Sequence, residues 1–272
     1  MSGYARPAVA GSGTIGCGLA AIATRAGAVR LLARSDVSAW RAEETAQTLA
    51  KKLDGGTPER IRVTTAEADL ADCDLVVEAI AEDPLAKGAL LGALGARCPG
   101  ADLASTTSSL RLAELAVRSG AGERLFGLHV FNPVTKMELI ELCIPAEARS
   151  GVRERAVEWC NALGKTTVEV PDQAGFVVNR LLFPLLFEAV RLMEASGMPA
   201  EDVDTCMQLG AAHPMGPLRL LDFVGLDVSV AIGESLHAET GRDADAVPQR
   251  LRDLVAEGRL GRKSGAGFYE YE

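Results

Sequence analysis

A histidine followed twelve residues later by a glutamate is the pair of side chains in this sequence best suited to acid–base chemistry. His129 lies in an apolar run, residues 125–130, and Glu141 lies in an alternating segment, residues 137–142. The alternation predicts a strand in which Glu141 is on the face opposite to Ile140 and can point back at His129. A carboxylate beside an imidazole favours its protonated form and fixes its tautomer. Such a pair could take the proton of an alcohol while a hydride leaves for a cofactor.

A glycine-rich turn far upstream supplies a candidate site for that cofactor. Gly11, Gly13 and Gly16 have the GxGxxG spacing between a short apolar strand and a helix. The first glycine permits a tight turn, the second lets the backbone approach a pyrophosphate, and the third allows close helix–strand packing. The helix would begin at Thr14 and Ile15, and its N-terminus favours an anion. Glycines with this spacing can also merely mark a turn, but a position at the first strand–helix junction favours a dinucleotide site.

The residues after the second predicted strand bear on the choice of dinucleotide. An Asp or Glu at the end of that strand would bind the ribose 2′-hydroxyl, but the position is occupied by Ala33. Arg34 and Ser35 follow, and a guanidinium and a hydroxyl could bind a 2′-phosphate. The alternative is that Arg34 is only solvated and that Asp36 takes the ribose. The sequence therefore favours NADP(H) over NAD(H).

Length, charge and composition indicate a folded protein of two domains and argue against several partners. With 272 residues, 48% of them hydrophobic, the chain is too long for one small core. The net charge of −9 leaves no basic field for nucleic acid. The apolar stretch 176–193 is interrupted by charges and a proline, so no membrane span is expected, and residues 9–26 fit a strand, turn and helix better than a signal peptide. The scattered cysteines predict buried free thiols in a reducing cytoplasm and no metal site.

Strand-like and helix-like segments alternate through residue 170. The alternation predicts an α/β domain with a doubly wound, mostly parallel sheet covered by helices, over residues 1–172. Pro171 ends the last predicted strand, and strand propensity is low beyond it. Residues 173–272 therefore predict an all-α domain. Its predicted helices span residues 177–195, 200–211, 217–239 and 246–257.

Five short blocks occur in an order and spacing that resemble one known family. They are residues 107–110 (TSSL), 127–134 (GLHVFNPV), 175–181 (GFVVNRL), 214–217 (PMGP) and 261–269 (GRKSGAGFY). Together they are similar to the L-3-hydroxyacyl-CoA dehydrogenase family, to which 3-hydroxybutyryl-CoA dehydrogenases belong. The resemblance implies an N-terminal Rossmann domain, a helical C-terminal domain that forms a homodimer, and an NAD(P)(H) cofactor.

The resemblance also implies roles for the residues at matching positions. His129 would be the catalytic base and Glu141 its partner. Ser108 and Asn179 would position the substrate oxygen and the imidazole. Each has a simpler alternative, since Ser108 could be the N-cap of a helix over residues 110–117, and Asn179 could be a buried packing amide.

Two further residues are assigned to the cofactor, and two to the substrate. Asn132 would order the nicotinamide region, and Glu82 is placed in the same cofactor site. The segment 35–60 is shorter than the helical hairpin that helps hold the coenzyme A nucleotide in the family. Lys51 and Lys52 remain there as candidate substrate contacts. Because the segment is short, the substrate could be an acyl-carrier-protein thioester or a free acid rather than an acyl-CoA.

The sequence thus predicts an oxidoreductase that interconverts a 3-hydroxyacyl thioester, such as 3-hydroxybutyryl-CoA, and the 3-oxoacyl thioester with NAD(P). One alternative is a related hydroxy-acid dehydrogenase that acts on a sugar acid or carnitine without a thioester. Another is a nucleotide-binding protein without catalytic activity, against which the joint presence of the four candidate catalytic residues argues.

Overall fold

The structure, a computed structural model, describes residues 3–271, so that Met1, Ser2 and Glu272 lie outside the described residues. The chain divides into two compact units, Met1–Gln173 and Ala174–Glu272. Each unit has a hydrophobic core of its own. The division falls one residue beyond the predicted boundary at 172.

The first unit is built on an eight-stranded sheet. Short apolar segments of four to six residues form its strands, and these alternate with helices along the chain. The strands are β1 (Pro7–Ala10), β2 (Val29–Leu32), β3 (Ile61–Thr64), β4 (Leu75–Glu78), β5 (Asp102–Ser105), β6 (Leu125–Val130), β7 (Leu139–Cys143) and β8 (Thr166–Glu169). The helices of this unit are α1 (Thr14–Ala23), α2 (Asp36–Lys51), α3 (Pro84–Arg97), α4 (Leu112–Ser119) and α5 (Val152–Ala162).

The order of the strands is β3-β2-β1-β4-β5-β6-β7-β8, which confirms the predicted doubly wound sheet. All neighbouring strands are parallel except β6 and β7, which are antiparallel. Every residue of β1, β4, β5 and β6 is buried, because helices cover both faces of a parallel sheet. The carboxyl ends of β1, β2, β4, β5 and β6 consequently meet at one edge, where ligands of such sheets bind.

The second unit is mainly helical, as predicted, although one predicted helix is divided. The segment predicted as a single helix over 217–239 forms two, because Gly225 has a φ of +104° that no helix accommodates. Helix α10 is also shorter than the predicted 246–257. The helices are α6 (Val178–Ser196), α7 (Ala200–Ala211), α8 (Pro217–Val224), α9 (Leu226–Thr240) and α10 (Gln249–Ala256).

The cysteines and the apolar helices bear on the remaining sequence predictions. Five cysteines are buried and free, but Cys206 is exposed, contrary to the expectation of buried thiols throughout. This cysteine lies on α7, which buries few residues. Among residues 3–271, no helix is both long and apolar enough to cross a membrane.

Candidate active site

His129 and Glu141 form a buried pair whose position follows from the register of two strands. The antiparallel ladder of β6 and β7 places the two residues directly opposite each other. Side chains that are opposite in such a ladder lie on the same face of the sheet and are close enough to bond. The Nδ1 atom of His129 lies 2.7 Å from Oε2 of Glu141, and the residues are only 4% and 1% exposed. Since Nδ1 is engaged by the carboxylate, proton exchange with a substrate would fall to Nε2.

The loop that carries Ser108 follows the strand beside the histidine. The parallel register of β5 and β6 pairs Ser105 with Gly127, two residues before His129. The Ser108 loop therefore begins at the same sheet edge as the histidine. Ser108 itself is half-buried.

Glu82 holds this loop through one carboxylate oxygen. Its Oε1 accepts hydrogen bonds from the hydroxyl of Thr107 at 2.7 Å and from the backbone N–H groups of Ser108 and Ser109 at 2.8 and 2.9 Å. The hydroxyl of Ser109 donates to the same oxygen at 2.9 Å. Glu82, which was assigned to the cofactor site, thus also holds the loop that carries Ser108, called the serine loop below.

A buried lysine, which was not predicted from the sequence, forms ion pairs with both Glu78 and Glu82. The Nζ atom of Lys87 lies 2.8 Å from Oε1 of Glu78 and 3.3 Å from Oε2 of Glu82. Ser105 donates to the other oxygen of Glu78 at 2.6 Å. Burial by itself raises the pKa of Glu82, but Lys87 and the donors of the serine loop hold that pKa below its usual value. A glutamate inside the apolar segment 74–80 was the signal that could have revealed this network.

The N-cap alternative for Ser108 is wrong. Helix α4 begins at Leu112, and its N-cap position is Arg111, which makes no side-chain capping bond. The carboxylate of Asp172 instead accepts from the N–H groups of Leu112 and Ala113, at 2.7 and 2.9 Å. An aspartate distant in sequence therefore satisfies the first turn, which local sequence does not reveal.

Two of the three glycines after β1 are required by close backbone approach, and the third faces open space. Gly11 has a φ of +139°, and a Cβ on it would lie 2.2 Å from the carbonyl oxygen of Ala79. A Cβ on Gly16 would lie 1.8 Å from the carbonyl oxygen of Gly11. A Cβ on Gly13 would meet no heavy atom of the described residues within 4 Å. The turn thus leaves a cradle above Gly13 that suits a pyrophosphate.

Helix α1 presents its first N–H groups to that cradle. Its N-cap is Gly13, no side-chain hydrogen bond caps it, and no acidic residue lies in the first turn. The N–H groups of Thr14, Ile15 and Gly16 have no acceptor within the helix, because the first intrahelical bonds begin one turn later. Such an end is a favourable place for a phosphate.

Asn132 lies beyond the end of β6, in a loop that packs against α1. The residue is exposed, while Val134 in the same loop is buried. A Cβ on Gly18 of α1 would lie 2.8 Å from the Cβ of Val134, so the loop and the helix are in close contact. The loop after β6 therefore packs directly against the helix that follows the glycine turn.

The segment after β2 forms the beginning of α2. Ala33 is buried, and Arg34 is exposed. Ser35 is the N-cap of α2, and its hydroxyl accepts from the N–H of Ser38 at 3.3 Å. Asp36 is exposed and accepts from a threonine hydroxyl at 3.3 Å. The hydroxyl of Ser35 is thus partly committed to capping the helix.

Three predicted site residues, Lys51, Lys52 and Asn179, are not placed beside His129 by the fold of the first unit. Lys51 and Lys52 are exposed at the far end of α2, about 24 Å from its beginning for a helix of 16 residues. The loop after them contacts the residues before β2, since Arg25 donates to the carbonyl of Asp54. They therefore lie toward the opposite edge of the sheet. Asn179 is buried at the second position of α6, in the second unit.

Two family models together match nearly the whole chain. The model described as 3-hydroxyacyl-CoA dehydrogenase, NAD binding domain, matches residues 7–173, and that of the C-terminal domain matches residues 175–271. The chain belongs to the 3-hydroxyacyl-CoA dehydrogenase family. The resemblance noted in the sequence is confirmed, and the first unit is an NAD(H)-binding domain of this family.

Individual relatives and solved structures agree with the family models. A probable 3-hydroxybutyryl-CoA dehydrogenase of Deinococcus radiodurans is 44% identical over 213 residues, which cover 78% of this chain and 77% of the relative. A 3-hydroxybutyryl-CoA dehydrogenase of Mycobacterium tuberculosis is 37% identical over 281 residues, with 98% of each chain covered. The crystal structure of (S)-3-hydroxybutyryl-CoA dehydrogenase PaaH1 from Ralstonia eutropha has a TM-score of 0.91 at 32% identity and covers 99% of both chains.

Proposed function

We propose that the protein interconverts a 3-hydroxyacyl-CoA and the corresponding 3-oxoacyl-CoA, using a nicotinamide dinucleotide. The observation that carries the proposal is the buried His129–Glu141 pair, on strands at whose edge the glycine turn also lies. The cradle above Gly13 and the uncapped beginning of α1 fit the pyrophosphate of such a cofactor. A bound nicotinamide would supply the hydride acceptor for the oxidation at C3 of the substrate.

His129 acts as the general base in oxidation and as the general acid in reduction. In the oxidative direction, Nε2 takes the proton of the 3-hydroxyl group as the carbonyl forms. Glu141 stabilises the resulting imidazolium through the 2.7 Å contact to Nδ1. In the reductive direction, the imidazolium returns the proton to the developing alkoxide. Burial of both residues strengthens the carboxylate's effect, because little water screens the charges.

Ser108 and Asn179 are proposed to position the substrate oxygen and the imidazole. Support for Ser108 comes from its loop, which is held by Glu82 and begins beside the histidine strand. Lys87 and Glu78 support that loop from behind, so that the serine is presented on a rigid backbone. Support for Asn179 comes from its burial at the beginning of α6 and from the family motif in which it lies.

We propose further that NADP(H) is preferred over NAD(H). Support comes from Ala33, which offers no carboxylate to a ribose diol, and from the exposed guanidinium of Arg34 directly after it. Ser35 contributes less to this preference, because its hydroxyl lies 3.1 Å from the Ser38 hydroxyl and accepts from the Ser38 N–H. Asp36 is the residue that opposes this preference, because it lies in the same first turn and is exposed.

The acyl carrier is proposed to be coenzyme A, with Lys51 and Lys52 available only to its distant phosphate-bearing end. The length of α2 supports this assignment, because the acyl group at His129 and the two lysines lie toward opposite edges of the sheet. An acyl-carrier protein would contact the same helix with a larger surface. A comparison of KM for acetoacetyl-CoA, acetoacetyl-acyl-carrier protein and the truncated thioester of N-acetylcysteamine distinguishes the carriers.

A homodimer is proposed to form through the helical unit. Leu181, Leu185 and Leu192 make an exposed apolar stripe on α6, and Val228 on α9 is also exposed. This much apolar surface is typical of a surface that a second protein covers. Light scattering at micromolar concentration should show a dimer, and Leu181→Glu should yield monomers.

The matched control for the dimer is Leu209→Glu, since Leu209 is 84% exposed on α7 of the same unit. That variant should remain dimeric. A monomeric parent protein, or equal dissociation of the two variants, would contradict the proposed interface.

A turnover assay tests the central proposal. Acetoacetyl-CoA should be reduced with NADPH and with NADH, and 3-hydroxybutyryl-CoA should be oxidised in reverse. Free acetoacetate, carnitine and a sugar acid serve as controls, because the alternative dehydrogenases act without a thioester. Turnover of a free acid at a higher kcat/KM than the thioester would overturn the assignment.

A further inference from the structure

The second unit contains a cavity that the proposed reaction does not use. Its volume is about 470 Å³, within the roughly 300–1,000 Å³ of small-molecule sites. All of the residues that line it belong to this unit, and none has been given a role above. They are Met215, Arg219, Phe223, Arg262, Gly265 and Tyr271.

Two guanidinium groups in this cavity lack a carboxylate partner. Arg219 and Arg262 are both exposed, and neither forms an ion pair with any residue from 3 to 271. The next residue differs, since Lys263 binds Asp227 with its Nζ 2.6 Å from Oδ1. The two arginines therefore keep their donors for a ligand that brings its own negative charge.

Asp222 and Asp204, two acidic residues close to the cavity lining, bind backbone N–H groups and tyrosine hydroxyls. The buried carboxylate of Asp222 accepts from the backbone N–H groups of Phe268 and Tyr269, each at 2.9 Å, and from the Tyr271 hydroxyl at 3.0 Å. Asp204 is also buried and accepts from two backbone N–H groups at the beginning of α8. These carboxylates fix the walls of the cavity and do not bind the two arginine side chains.

Flat apolar surfaces complete the lining. The guanidinium of Arg219 lies 4.1 Å from the centroid of the Tyr269 ring, and this stacking restrains it beside the cavity. Phe223 is 41% exposed, so its side chain is accessible at the cavity. Phe223 and Tyr271 contribute aromatic rings to the lining, and Met215 contributes an adaptable thioether.

We propose that this cavity binds a nucleoside phosphate, with the phosphate on Arg219 and Arg262 and the base against Phe223 and Tyr271. Bidentate guanidinium groups match phosphate oxygens, and aromatic faces stack on any base. The occupant is a free nucleotide, because the phosphate-bearing end of coenzyme A is assigned above to Lys51 and Lys52; the nucleotide end of coenzyme A is the alternative that the test must exclude. The binding site itself does not depend on the proposed reaction, whereas the coenzyme A source does.

The test is calorimetric titration of the full chain with AMP while the dinucleotide site is saturated with the nicotinamide cofactor. Saturation is needed because AMP can also enter the adenosine pocket of the first unit. AMP should bind saturably, and Arg262→Gln should weaken it about tenfold or more, since a charge-assisted hydrogen bond is lost. Arg252→Gln is the control, because Arg252 is in the same unit and already pairs with Glu234.

Two additional titrations sharpen the result. Ribose 5-phosphate should bind more weakly than AMP, and Phe223→Ala should remove that difference. A decrease in affinity for adenosine 3′,5′-bisphosphate together with a raised KM for acetoacetyl-CoA in Arg262→Gln indicates the coenzyme A nucleotide. An unchanged KM indicates a free nucleotide. Absence of saturable AMP binding, or equal weakening by Arg252→Gln, overturns the site.

Discussion

The His129–Glu141 pair and the Arg34–Ser35 segment lie at the same sheet edge but are positioned by different means. The pair is buried and is held opposite by the hydrogen-bond ladder of β6 and β7. The segment is exposed, and its one defined side-chain contact is the cap of α2. A backbone register holds the side chains of His129 and Glu141 in contact, whereas a solvated guanidinium supplies only a local charge. Changes to the pair should therefore alter the chemical step, and changes to the segment should alter only the choice of cofactor.

The largest expected effect is that of His129→Gln. Loss of the general base should lower kcat roughly 10²–10⁴-fold, while nucleotide binding survives. Steady-state kinetics with acetoacetyl-CoA and fluorescence titration with the reduced cofactor measure the two properties. His237→Gln, in the second unit, is the control and should retain activity. Near-native kcat in His129→Gln would remove the pair from the mechanism.

Glu141→Gln should have the next largest effect. The amide preserves the size of the side chain but cannot stabilise an imidazolium, so kcat should fall roughly ten- to a hundredfold for a lost charged hydrogen bond of about 1.5–3 kcal/mol. The fold should be retained, as measured by circular dichroism. Glu138→Gln, an exposed residue just before β7, is the matched control. If both variants keep the parent kcat, the buried carboxylate serves structure alone.

Arg34→Ala tests the role of the exposed Arg34–Ser35 segment in the choice of cofactor. It should lower kcat/KM for NADPH about tenfold and leave that for NADH nearly unchanged, because only a 2′-phosphate needs the guanidinium. Arg41→Ala, exposed on α2, should change neither value. Should the parent prefer NADH and Arg34→Ala leave use of NADPH untouched, the inference from Ala33 and Arg34 is wrong.

Glu82→Gln should have the smallest effect on activity and a pH-dependent effect on stability. Lys87 and the serine-loop donors lower the pKa of Glu82 in the folded protein, so its ionised form stabilises the fold above its unfolded pKa of about 4.3. That stabilisation is lost as pH falls through the lower folded value. The difference in urea midpoint between parent and variant should therefore be present at pH 7 and shrink below about pH 4.5. Glu59→Gln, which is exposed, is the control. A difference that is constant with pH would contradict the charged network.

The sequence predicted the sheet and the contact between His129 and Glu141 well because both follow from local periodicity. Alternation around Ile140 and Glu141 identified the face of β7, and the glycine spacing identified the turn before α1. The errors arose where a distant residue or a single backbone angle decided the outcome. Asp172 caps α4 in place of Ser108, and Gly225 divides a helix whose periodicity continues through it.

The amino-acid sequence by itself determined the family, the mostly parallel sheet and the pairing of His129 with Glu141. Those properties depend on residue types and on spacings of a few residues, which the chain carries locally. Only the tertiary structure decided that Lys87 supports the serine loop from a buried position, and that Lys51 lies a helix length from the beginning of α2. It also decided that Arg219 and Arg262 share a cavity. Residues far apart in sequence become neighbours through packing, and packing minimises the free energy of the whole chain rather than of any segment.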